Sequence, residues 1–312
     1  MARYLVTGVA GFIGSSIARA LIARGDKVRG IDNFSTGKRE NLAGLETIDL
    51  IEGDLNDAGI AERGCRGIDG IFHQAALPSV PRSVENPIAC NRANVDGTIK
   101  LLDAARNAGT RRIVYAGSSS AYGNSPSLPK REDMLPVPLS PYAVSKLAGE
   151  LYMAAFHRVY GLETVTLRYF NVFGPHQDPT SQYSGVLAVF ISRMLRNQPP
   201  TIYGDGEQSR DFTYIDNVVA GNLLAASAPA DRVAGRVFNV ATGTRITLND
   251  TVKLLREMTG FAGEVSYGKE RPGDVKHSLA DISAAISGFA YKPKISFREG
   301  LQKTVDWYRS KT

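Results

Sequence analysis

Of the 13 tyrosines in the chain, only Tyr142 is followed four residues later by a lysine, Lys146. On a helix that spacing puts both side chains on one face. A neighbouring ammonium favours the phenolate, which brings a group that ordinarily ionises near pH 10 towards a range where it can take a proton at neutral pH. A surface tyrosine beside a solvated lysine has the same spacing, so the pair gains meaning only from its company. Ser118-Ser119-Ser120 directly follow the apolar run Ile113 to Ala116, and ligands of open α/β sheets bind beyond the carboxyl ends of such strands. A serine there meets the bound ligand; turn and cap roles compete for all three hydroxyls, most strongly for Ser119 and Ser120.

A second group of residues suits a dinucleotide. Thr7-Gly8-Val9-Ala10-Gly11-Phe12-Ile13-Gly14 joins an apolar run to a helical pattern. Its three glycines allow a tight turn, close approach of backbone to a pyrophosphate, and close packing of helix on strand. The following strand pattern ends at Asp32, about twenty residues on, where a carboxylate accepts from ribose hydroxyls and repels a 2′-phosphate. NAD is therefore expected over NADP, although Lys38 and Arg39 close behind pull the other way. Asp54, past the third strand, suits an adenine amino contact or a plain turn.

Elements that could position these groups are legible in the periodicity. Strands are expected at Tyr4 to Val6, Lys27 to Ile31, Ile48 to Ile51, Gly70 to His73, Ile113 to Ala116 and Thr164 to Leu167. The intervening helices are expected at Phe12 to Arg24, stopped by Gly25, at Asn91 to Ala108, stopped by Gly109, and from Ser140-Pro141 to Tyr160, stopped by Gly161. Strands alternating with helices describe a parallel sheet. After Gly174-Pro175 the rhythm breaks into longer loops with Pro199-Pro200 and Gly204-Asp205-Gly206. A domain change is expected there.

Composition narrows the field. At 312 residues and 43% hydrophobic content the chain can bury a large core. Its net charge of +6 comes from scattered basic residues, without the stripe that nucleic-acid binding needs. Cys65 and Cys90 have neither disulfide-framework nor metal-ligand spacing, so no metal is expected. No signal peptide or membrane-length apolar run is visible, and a cytoplasmic enzyme is the expectation.

With these residues in view, the chain resembles the extended short-chain dehydrogenase/reductase family. Within it the likeness is to NAD-dependent UDP-hexose 4-epimerases, most nearly the UDP-N-acetylglucosamine 4-epimerase subgroup, along essentially the whole length. Thr7 to Gly14, Ser118, Tyr142-Ala143-Val144-Ser145-Lys146, Arg168 to Pro175, Gln74 to Ser83 and Val275 to Asp281 carry it. The resemblance implies an α/β fold: a Rossmann doubly wound parallel sheet with a smaller C-terminal α/β substrate-binding domain. Residues 1–175 would bind NAD, with segments near 212–227 and 236–243 returning to that domain, and 176–312 would bind the UDP-sugar.

The resemblance also assigns roles. Ser118, Tyr142 and Lys146 would be catalytic. NAD would meet Gly8, Gly11, Phe12, Ile13 and Gly14, then Asp32, Asn33, Ser35, Thr36 and Gly37. Further NAD contacts would come from Asp54, Leu55, Gln74, Ala75, Ala76, Asn94 and Phe170, with Tyr142 and Lys146. The substrate would meet Ser79, Val80, Ser118, Ser119, Ser120, Tyr142 and Val186; Asn171, Arg210 and Arg271 would hold the diphosphate, Tyr203 the uracil and Asp274 the uridine ribose. Ser278 is small where a bulky residue limits such enzymes to plain hexoses, which favours N-acetylhexosamines. A homodimer through the Asn91 to Ala108 and Tyr142 to Tyr160 helices is implied. Two other readings stand beside this one. Ser119 and Ser120 replace the acid/base pair of a dehydratase, but UDP-glucuronate decarboxylation, with Arg82 on the carboxylate, uses the same apparatus. A non-catalytic NAD sensor is the more distant alternative.

Overall fold

The computed structural model describes residues 1–179, 185–270 and 275–311. Seven parallel strands form one sheet: Arg3–Thr7, Lys27–Asp32, Asp49–Glu52, Gly70–His73, Arg112–Ser118, Glu163–Tyr169 and Arg236–Val240. Numbered in that sequence their spatial order is 7-6-5-4-1-2-3. The chain builds outward through its first three strands, then returns to lay the fourth against the other side of the first. That reversal leaves a crevice beyond the carboxyl ends of the first and fourth strands, where ligands of doubly wound sheets bind.

Successive strand residues alternate between two apolar layers, as the two-residue period of a strand requires. Leu5, Ile71, Ile113 and Tyr115 pack with Leu101, Leu102, Met153 and Phe156. Val6, Phe72, Val114 and Val165 pack with Ile17, Leu21 and Val218. Both faces are buried, so the strands read as short continuous apolar runs rather than polar-apolar alternations.

The expected strands and the Phe12–Ala23 and Pro141–Tyr160 helices are all present. Ser140 caps the latter by accepting from the Ala143 amide at 3.2 Å, and Gly161 ends it in the left-handed region. The helix expected from Asn91 differs. It starts at Pro87, where Asn86 accepts from the Ala89 amide, passes through a wide turn over Arg92–Asp96, and continues as Gly97–Asn107. The Asn86-Pro87 start signal lies upstream of the apolar stripe that defines the helix in sequence.

Late segments also join the sheet layer. Arg236–Val240 is an edge strand paired with the sixth, and Ile215–Ser227 packs against the Phe12–Ala23 helix. Small strand pairs build the rest: Val172–Phe173 with Thr213–Tyr214, Thr201–Tyr203 with Ser266–Gly268, and Ser209–Arg210 with Ile246–Thr247. Among the described residues no helix is long and apolar enough to cross a membrane.

Candidate active site

A cavity of about 560 Å³ opens at the sheet's crevice. Its floor is the glycine loop. Gly8 sits at φ +68°, and a Cβ there would stand 2.8 Å from the Ala75 amide nitrogen; a Cβ on Gly14 would stand 2.1 Å from the Gly8 carbonyl oxygen. Side chains at these two positions would push the loop off the sheet. The helix that follows starts at Phe12 with neither a side-chain cap nor an acidic residue in its first turn. Its amide dipoles are thus left to a phosphate.

Asp32 is buried at the end of the second strand, where its two carboxylate oxygens accept from the Ala10 and Phe34 amides, each at 2.8 Å. Burial raises its pKa and these bonds oppose that. The geometry fixes a carboxylate on the cavity wall with lone pairs left for ribose hydroxyls. Lys38 and Arg39, which could have favoured a 2′-phosphate, are paired with Asp178 at 2.8 Å and Glu52 at 2.6 Å. These features fit NAD. Asn33 donates to Asp54 at 2.7 Å and so ties the turn after the second strand to the one after the third.

Tyr142 and Lys146 both line the cavity. The Tyr142 phenol is paired with the Ser118 hydroxyl, but burial outweighs that bond and holds its pKa above the ordinary value. The depression expected from Lys146 is therefore not produced by the chain's own groups. Lys146 shows why: its ammonium lies 4.5 Å from the centre of the Tyr115 ring, and burial lowers its pKa to about 7. Ser118 also caps the short turn Ser119–Tyr122, accepting from the Ser120 amide, with the Ser120 hydroxyl 2.8 Å away.

The structure gathers the expected cofactor residues of the loop, of 32–37 except Phe34, and of 54–55 and 74–76 around one cavity, together with Ser79. Two further residues expected at the cofactor make contacts within the protein. Asn94 is buried and spends its amide on Leu77 and on the Ser145 hydroxyl at 2.9 Å. Phe170 is fully buried against Tyr122, so its ring belongs to the core. Ser79 caps Val80–Glu85 by accepting from the Arg82 amide, while Val80 is 43% exposed and outside the cavity lining.

Asn171 donates to the Asp211 carbonyl at 3.2 Å and to the Ser278 hydroxyl at 3.5 Å. Arg210 donates to the Ser209 and Lys276 carbonyls. Tyr203 is 40% exposed on its short strand, and Val186 opens the Val186–Leu195 helix. Arg271 and Asp274 lie outside the described residues.

Several positioning residues have no sequence signal of their own. Ser83 accepts from the Tyr142 amide at 3.0 Å, and Ser145 donates to the Tyr142 carbonyl at 2.8 Å, so the Tyr142 backbone is gripped on both sides. Asp211 is fully buried and accepts from Thr242, Gly243 and Ala280, binding three loops together. A buried carboxylate with four donors is recognisable only once the loops have met.

Comparison with known proteins agrees with this fold. Residues 4–241 match the NAD dependent epimerase/dehydratase family. The chain belongs to this family. A UDP-glucose 4-epimerase of Mycolicibacterium smegmatis is 37% identical, the alignment covering 99% of each chain. The structure of a UDP-N-acetylglucosamine 4-epimerase from Methanobrevibacter ruminantium, in complex with UDP-N-acetylmuramic acid, is 43% identical with a TM-score of 0.95, covering 100% of this chain and 99% of that one. A UDP-glucuronic acid 4-epimerase from Bacillus cereus, in complex with UDP-glucuronic acid and NAD, is 34% identical with a TM-score of 0.92, covering 99% and 100%. The present chain is an NAD-dependent enzyme of the same family, on the same doubly wound sheet.

Proposed function

We propose that this family member is a UDP-sugar 4-epimerase that interconverts UDP-N-acetylglucosamine and UDP-N-acetylgalactosamine, and also turns over UDP-glucose and UDP-galactose. The observation that carries the epimerase reading is the convergence of Tyr142, paired with Ser118, and Lys146 on a cavity floored by the glycine loop. The small Ser278 beside Asn171 supports the acetylated sugar, because it leaves room that a larger side chain would fill.

Tyr142 takes the proton of the sugar 4-hydroxyl, and Ser118 holds the same oxygen. NAD held by the glycine loop and Asp32 would supply a reversible hydride acceptor for C4 of the sugar. Burial holds the phenol's pKa above its ordinary value and lowers that of Lys146 to about 7, so ionisation of the phenol needs a nearby positive charge. The keto sugar turns over while its diphosphate stays fixed. Asn171 and Arg210 are the described residues suited to that handle, since an amide and a guanidinium fork both donate to phosphate oxygens. Arg271 has the same role by resemblance.

Arg82 lines the cavity, so a substrate carboxylate is the second reading to test. A panel of UDP-GlcNAc, UDP-glucose and UDP-glucuronate, analysed by chromatography for the wild type and for Ser278→Tyr, separates these cases. Wild type should convert all but the glucuronate, and the tyrosine should abolish turnover of the acetylated pair while sparing the plain hexoses. No UDP-GalNAc from the wild type defeats the proposal, and carbon dioxide from UDP-glucuronate replaces it with decarboxylation.

We also place the enzyme in the cytoplasm as a homodimer. Its two cysteines are buried and unpaired, as a reducing compartment favours. Val144, Leu151 and Val159 on the catalytic helix and Val84 and Ile88 on the adjoining short helices are each more than half exposed. Two copies of such a face, related by a two-fold axis, bury each other.

A further inference from the structure

The cavity has two walls from distant parts of the chain. One comes from the turn after the second strand, with Asp32 and Gly37; the other includes Val172, Gln177 and Asp178. Both are braced from behind. The Lys38 amide donates to the Ala10 carbonyl of the glycine loop at 3.0 Å. On the far side, the Tyr308 hydroxyl donates to the Gln177 carbonyl, and the His176 and Trp307 rings lie 4.9 Å apart, so the Phe297–Arg309 helix holds the 176–178 segment in place. The walls are joined by the Lys38–Asp178 ion pair at 2.8 Å.

We propose that this pair is a clasp that keeps the dinucleotide in its cleft between the two half-reactions. The inference rests on the epimerase reading, because only a reaction that takes hydride and returns it within one turnover needs the reduced cofactor to stay. Lys38 reaches from the ribose wall and Asp178 from the sugar-side wall, so the dinucleotide can leave freely only when the two separate. The side chains remain 46% and 30% exposed. An ion pair so exposed is weak and screened by salt, which suits a closure that must still open for cofactor exchange.

The test is the rate at which NADH leaves. Protein loaded with NADH is mixed with excess NAD, and loss of bound-nucleotide fluorescence is followed for wild type, Lys38→Ala, Asp178→Ala and the exchanged double variant Lys38→Asp/Asp178→Lys. Each single variant should release NADH roughly two- to fivefold faster, and the exchange should recover the slow rate. Raising the salt from about 0.05 M to about 0.5 M should speed release from wild type and leave the single variants unchanged. Wild-type release rates in both single variants, or a salt response they share with wild type, would overturn the clasp. Failure of the exchange to restore slow release would also overturn it, by showing that the pairing of charges is not what matters. If epimerisation persists while the clasp fails, the epimerase reading stands; if release behaves as expected and no sugar is epimerised, that reading falls and the clasp stands.

Discussion

Lys146 should cost the fold stability that its removal returns. Its side chain is 4% exposed, and burial lowers its pKa from an ordinary 10.5 to about 7. At pH 7 the unfolded chain holds the proton fully and the folded chain about half the time. Holding this lysine then costs about 4 kcal/mol, at 1.36 kcal/mol per unit of separation. The sign follows from proton counts: between about pH 7 and 10.5 the unfolded state binds more protons, so stability rises with pH across that window. The cost is greatest below about pH 7, near 2 kcal/mol at pH 9, and gone above 10.5. Contact of the ammonium with the Tyr115 ring at 4.5 Å recovers about 1 kcal/mol. Lys146→Met keeps the chain length and packing and removes the charge. With dinucleotide stripped from both proteins, so that ligand linkage does not enter, urea unfolding should find the methionine variant about 3 kcal/mol more stable at pH 7. The gap should close as the pH approaches 10, and the variant should be inactive. A gap that stays constant from pH 6 to 10, or a methionine variant less stable at pH 7, would refute the reasoning.

Tyr142→Phe removes the acid/base group but leaves the Ser83 and Ser145 bonds to its backbone intact, so turnover should fall at least about a hundredfold while NAD titrations match wild type. A variant that retains half its turnover would remove the phenol from the mechanism. Leu151→Glu puts a charge at a position 61% exposed in the single chain; sedimentation should find a dimer for wild type and a monomer for the variant, and a wild-type monomer would dismiss the proposed contact face.

The strands and two of the helices were legible because the sheet is covered on both faces. Each strand must then be a short apolar run, and each crossover helix must carry one apolar stripe between a cap and a glycine. Asn86-Pro87 shows where that reading stops. The start of that helix faces outward, with Ile88 at 81% exposure, so no apolar stripe marks it and only its cap signal remains. The strand Arg236–Val240 raises a different difficulty, since its partner lies some seventy residues back in the chain and parallel pairing leaves no local turn signature.

The site was legible where function demands a residue type at a fixed place on one element, and illegible where it depends on elements meeting. Gly8, Gly14, Asp32, Ser118, Tyr142 and Lys146 each sit at the end of a strand or the start of a helix, where local spacing defines their geometry. The pKa of Tyr142 is a property of the assembled fold. The four-residue spacing puts Lys146 on the same helical face, but Tyr115, from the neighbouring strand, lies within 4.5 Å of its ammonium, and burial then acts on phenol and amine in opposite directions. The chain by itself thus disfavours the charged form of both groups. Burial, not the partner's charge, sets the direction of both shifts. That burial depends on the strands and helices packed around the two side chains, and no spacing of residues in the sequence could have specified it.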